Sequence, residues 1–300
     1  TCRASQIKFK LANVPEELKG REFTINQLIG DEHTIPLGKF KVESAKLEDD
    51  LIFKEVIAYD KLKDTDVDVS EWYNGLFPIG NETYTLKQFR SSLLAYLGVE
   101  EVDQTLPNDD MIVEKTIEPA QISGRVVLEA TVELNGAFGH INRQGKFVRI
   151  VLPKLIGSTP EKITKDIYMT VKFEEYEVKP VDKLQVRSEE DDIGFIYGEG
   201  INTYVIQGNF LLYGKTAEEL QTIAENVSVN IFGRAYRPYT AESIGLPYLE
   251  VGDTVKLTTE DTVVSYILQR TLTGIQALKD EFEAPGSEER EQNFGVNNEI

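Results

Sequence analysis

The sequence predicts a mainly β, α+β fold, on three observations. Apolar residues alternate with polar ones through residues 6–59, helical spacing takes over between residues 85 and 134, and strand patterns return after residue 160. Period two places alternate side chains on one face of a strand, whereas recurrence at three and four positions lines one face of a helix.

In the first stretch Ile7, Phe9 and Leu11, then Phe23 and Ile25, then Ile35 and Leu37, and later Val42, Phe53, Val56 and Ile57 alternate, with turn residues at 13–15, 30–31 and 48–50. That pattern predicts successive antiparallel strands, a meander or part of a barrel. Thr85 then stands at an N-cap position ahead of Leu86, Phe89, Leu93, Tyr96 and Leu97, and Gly98 follows as a stop; this predicts one helix. A second begins near Ser123, places Val127, Ala130, Thr131 and Leu134 on one face, and ends at Gly136. Residues 138–152, with a turn at Arg143-Gln144-Gly145, predict a hairpin. Strand signals follow at 167–173, 184–186, 204–212, 229–236, 254–258 and 263–271. One helix interrupts them, announced by the Thr216/Glu219 capping box and the stripe Leu220, Ile223, Ala224, Val227. The domain plan is therefore 1–70 as an incomplete first β domain, 71–160 as an α+β insertion, 161–285 as a second β domain with one helix, and 286–300 as a solvated linker. The two strand-rich outer parts share a gross character that duplication of a β domain would produce, although no short-period repeat is present.

With 300 residues, 41% of them hydrophobic and 28% charged, the chain is long enough for two domains and carries a globular composition. Lys and Arg number 32 against 51 Asp and Glu, a net charge of −19. That balance disfavours binding to nucleic-acid phosphates or an anionic membrane surface. Cys2 is the only cysteine, which excludes an internal disulfide and a cysteine-based zinc site. No apolar stretch, 93–99 included, approaches the roughly 20 residues of a membrane span, so no membrane anchor is expected. Thr1, Lys8, Lys10 and Glu16 do not make a signal sequence, and the chain reads as part of a longer protein.

Chemistry-bearing motifs are few. Gly198-Glu199-Gly200 opens like a dinucleotide fingerprint, but Thr203 stands where the third glycine belongs, which favours a hairpin turn. Asp64, Asp66 and Asp68 start like a calcium loop, yet Val69 and Gly75 occupy its sixth and twelfth positions. An EF-hand is thereby excluded, leaving a solvated acidic loop with an irregular calcium site as its alternative. His33 and His140 lack partner motifs and read as turn or strand residues rather than general bases. The acidic runs Glu189, Glu190, Asp191, Asp192 and Glu288, Glu289, Glu291 read as solvated loops rather than a glycosidase pair. Trp72-Tyr73 favours core packing over sugar stacking. No catalytic, cofactor-binding or metal-binding residue is assigned, no cofactor is called for, and the chain is expected not to be an enzyme.

Several segments, in order, resemble the tail hub proteins of tailed bacteriophages (baseplate hub or tail-tip adaptor proteins), including those of prophages of Gram-positive bacteria. They are Ile35-Pro36-Leu37-Gly38 through Phe40-Val42, Ala58-Tyr59-Asp60, Glu71-Trp72-Tyr73-Asn74, Phe89-Arg90-Ser91-Ser92-Leu93 and Leu106-Pro107-Asn108-Asp109-Asp110. Asn135-Gly136-Ala137-Phe138-Gly139 with Ile141-Asn142-Arg143, Tyr204-Val205-Ile206-Gln207-Gly208-Asn209, Gly245-Leu246-Pro247-Tyr248 with Val251-Gly252-Asp253, and Arg270-Thr271-Leu272-Thr273-Gly274-Ile275 continue the series. The resemblance implies two tail-tube-like β domains with an inserted α+β outer domain. It further implies a homotrimer whose six tube-like domains form a pseudo-sixfold ring between tail tube and tail tip, with a channel for DNA passage. The implied partners are other copies of the chain, tail tube and distal tail proteins, the tape measure protein, and fibre or tip proteins. The implied location is the virion tail, assembled in the host bacterial cytoplasm. A carboxylate-lined channel would let DNA slide without attractive contacts. The alternatives are a tail-associated peptidoglycan hydrolase and a host-carbohydrate-binding module.

Overall fold

The computed structural model describes residues 2–30, 33–189 and 194–288. The chain forms two compact units, Thr1–Ile150 and Val151–Ile300.

In the first unit, strands β1 (Gln6–Ala12), β2 (Glu22–Ile29), β3 (His33–Leu47) and β4 (Phe53–Tyr59) make an antiparallel sheet in the order β1-β4-β3-β2. Alternation sends Phe9, Phe23, Phe40, Val42, Val56 and Ala58 to one side, where Leu18 from the β1–β2 connection lies over them. Ile7, Phe9, Leu11, Phe23 and Ile25 remain only half-buried there. Gly38 sits at a bulge with φ 146°, where a Cβ would lie 2.9 Å from the Phe40 ring, so a side chain would displace the core residue beside it. The first half of β3 pairs with β2 alone, because pairing with β4 begins at Lys41 opposite Tyr59.

A 3-10 turn, Lys61–Thr65, leads to α1 (Ser70–Leu76), β5 (Tyr84–Thr85), α2 (Leu86–Tyr96), β6 (Ile112–Val113), α3 (Gly124–Glu133) and the hairpin β7 (Phe138–Ile141) and β8 (Phe147–Ile150). Helix α2 starts at the expected place because Thr85 and Gln88 form a reciprocal capping box. Ser123 caps α3 on the Arg125 amide. Both helices are followed by a glycine of positive φ, Gly98 and Gly136. The sequence pattern did not mark α1, which is seven residues long and lacks a side-chain cap; Trp72 and Tyr73 hold it by packing against Phe77 and Phe89.

The second unit contains β9 (Glu161–Ile163), β10 (Tyr168–Phe173), β11 (Lys183–Val186), β12 (Phe195–Gly198), β13 (Thr203–Ile206), α4 (Ala217–Ile231), β14 (Tyr239–Ile244), β15 (Thr254–Thr258), β16 (Thr262–Tyr266), β17 (Gln269–Thr273) and β18 (Lys279–Ala284). A four-stranded sheet, β10-β14-β18-β17, packs Tyr239, Ala241, Phe282 and Ala284 against Ile163, Val255 and Leu257 of the sheet β16-β15-β9. The segment between β10 and β14 carries a third sheet, β12-β11-β13, and α4 packs on that sheet rather than on the main one.

Two strand expectations fail here. The one at 204–212 ends at Ile206, because Gly208 turns with positive φ and the Asn209 side chain caps a 3-10 turn at Phe210–Leu212. The one at 229–236 gives way to the last turn of α4, whose buried Val227 and Ser228 keep β-branched neighbours helical; only isolated bridges at Phe232 and Tyr236 follow. The pattern at 263–271 divides into β16 and β17. No helix among the described residues is long and apolar enough to cross a membrane.

Candidate functional site

Three of the segments that carry the family resemblance converge on one buried polar cluster in the first unit. Helix α2 presents Arg90, the loop before β6 presents Asn108 and Asp109, and the end of α3 presents Asn135. Strand β8 adds Arg149, which alternation places on the same inward face as Phe147. Asp109 accepts from Arg90 Nη1 at 3.0 Å, Arg149 Nη1 at 2.5 Å, Asn135 Nδ2 at 3.3 Å and the Leu106 amide at 3.0 Å. Arg90 Nε donates to Glu101 at 3.0 Å, while its Nη2 is buried with no hydrogen-bond partner. Arg149 Nη2 donates to the Gln104 carbonyl at 2.7 Å. Burial pushes the Asp109 carboxyl up, but hydrogen bonds from Arg149 and Leu106 and both guanidinium charges outweigh it and hold it below its ordinary value. Burial, with Arg90 beside it, lowers Arg149, and Asp109 counters. Two cations and two carboxylates balance here, and the groups are spent on one another. The cluster is suited to locking α2, α3 and β8 together and presents no free nucleophile or base.

The second unit repeats the device on a smaller scale. Asp280, wholly buried in β18, accepts from Arg270 Nε at 2.8 Å, Arg270 Nη2 at 2.6 Å and the Leu246 amide at 3.0 Å. Arg270 also donates to the Leu246 and Leu249 carbonyls, clamping the turn that follows β14. Sequence reading quoted Arg270 and Leu246 only as parts of the resemblance and missed Arg149 and Asp280. The readable signal was position: Asp280 alternates with Phe282 and Ala284 on the buried face.

The structure disperses the other candidates. Asp64 pairs with Lys41, Asp66 with Lys63 and Arg125, and Asp68 accepts from the Ser70 and Ile122 amides. Among the described residues no three His, Cys, Asp or Glu side chains group as a metal-holding set. Gly198 and Gly200 flank the β12–β13 turn, where a Cβ on either would strike Asp182. His33 is exposed at the start of β3; His140 lies on β7 near Asp60, and burial lowers its pKa. The indole of Trp72 is buried and donates to Ser92. The Cys2 thiol, buried against Gly139, is pushed up to about 11 by burial and stays protonated. Glu189 is exposed, and Glu288 lies 3.9 Å from Lys179; Glu190, Asp191, Asp192, Glu289 and Glu291 lie outside the described residues.

The polar faces of the two four-stranded sheets are mixed in sign. On the first, Lys8, Lys10 and Lys46 stand in register with Ile57 and Glu55, and Lys8 pairs with Glu55 at 2.8 Å. On the second, Lys279 pairs with Glu242 and Glu281, beside Lys172 and Glu283. The excess of carboxylates is therefore not concentrated on either face.

The fold itself belongs to a class seen in phage tails. The chain is similar to a tail protein from Neisseria meningitidis MC58, with a TM-score of 0.59 at 13% identity, over 93% of this chain and 87% of that one. The 43 kDa tail protein of prophage MuSo2 from Shewanella oneidensis gives 0.56 at 11%, over 93% and 88%. The prophage tail protein gp18 from Listeria monocytogenes EGD-e gives 0.51 at 15%, over 93% and 84%. No family model matches the chain, and no curated protein matches its sequence.

Proposed function

We propose that the chain is a structural component of a phage or prophage tail, and specifically a hub that trimerises into a pseudo-sixfold ring joining tail tube to tail tip, with a channel through which DNA passes. The observation that carries this reading is the extent of the fold likeness: both units together, 93% of the chain, follow tail proteins of comparable length. The two β domains, 1–70 and 161–285, would supply the ring, and 71–160 would project outward from it. Each unit contributes one four-stranded antiparallel sheet with a polar face, as a ring of repeated walls requires. The polar clusters around Asp109 and Asp280 support a rigid, non-enzymatic body, since their charges are consumed in cross-links.

Light scattering of the purified chain across a concentration series tests the proposal, followed by electron microscopy. The expected result is a mass near three times 33.9 kDa and ring-shaped particles with a central channel. A monomer at every concentration that also fails to form rings with tail tube protein would overturn it.

A further inference from the structure

We draw no further inference here: the strongest candidate, the open groove of about 540 Å³ that lies beside strand β16 and is lined by Ile156, Tyr236, Arg237 and Asp261, carries none, because nothing in the structure shows what covers it.

Discussion

The two four-stranded sheets solve the same burial problem unequally. In the second unit the apolar side of β10-β14-β18-β17 meets another layer of strands, and Tyr239, Ala241, Phe282 and Ala284 are all buried. In the first unit the corresponding side is crossed by one connection carrying Leu18, and five of its large side chains stay half-buried. The strand orders differ as well. The first sheet runs first, fourth, third, second in chain order, and the second sheet runs first, second, fourth, third. A four-stranded sheet with one polar and one apolar face is thus reached by two connectivities, so the shared character of the two units does not require a copied topology. One core is complete in itself, whereas the other leaves apolar surface for a further contact.

The largest expected effects break the polar cross-links and ask whether the units are independent. Asp109→Ala leaves two buried guanidiniums without their common acceptor, and removal of one side of a buried ion pair costs about 3–5 kcal/mol. Asp280→Ala strands Arg270 and the Leu246 amide at a comparable cost. Hydrogen exchange resolved by peptide should place the loss of protection from Asp109→Ala in the first unit and that from Asp280→Ala in the second. Loss spread evenly over both would mean that the two units fold as one.

A second pair of substitutions measures the difference in closure directly. Phe282→Ala empties a filled core and should cost about 3–5 kcal/mol. Phe9→Ala, at a half-covered position, should cost about 1–2 kcal/mol, because less surface returns to water. Denaturant titration checks both, and equal losses would mean that the first sheet is as well sealed as the second.

Legibility followed the same division. The first sheet was plain in the sequence because one half-open face imposes strict alternation, as in Ile7, Phe9 and Leu11. Helices α2 and α4 were plain because Thr85 and Thr216 announce them, whereas the uncapped α1 was not. Strands β14 and β18 escaped notice: Tyr-Thr-Ala-Glu-Ser-Ile turns Ala241 and Ser243 inward and Ile244 outward, Lys-Asp-Glu-Phe-Glu-Ala has no β-branched residue, and both owe their extended form to pairing with each other and with β10 and β17. The polar clusters escaped for a related reason: Arg90, Asp109 and Arg149 are far apart in the chain, and only tertiary structure shows that their charges cancel.

A smaller effect uses a device that both units share. Thr85→Ala and Thr216→Ala each remove the N-cap of a reciprocal capping box, and each should cost about 1 kcal/mol. Equal losses by thermal melting would show that helix capping is indifferent to how each sheet is closed. A Thr216 loss much the larger would mean that α4 holds its small sheet together, beyond the local cap.

The smallest expected effect is a pH dependence confined to the first unit. Both histidines, His33 and His140, belong to it. Burial holds the His140 imidazole below its ordinary value of 6.5, and Asp60 opposes the shift. As pH falls below about 6.5 the unfolded chain takes up the proton first, so stability present at neutral pH is lost toward the lower folded-state value. Asp60 acts with the opposite sign: burial raises its carboxyl above 3.8 despite hydrogen bonds from Ser5 and Leu62, so the folded chain takes that proton first. On going from pH 7 to 5.5 the first unit should therefore weaken by up to about 1 kcal/mol, and His140→Gln should flatten that loss. The second unit, which has no histidine, should hold its protection across the same range. A matching loss there would tie the two units into one titrating body, and no loss in either would mean that Asp60 fully compensates His140.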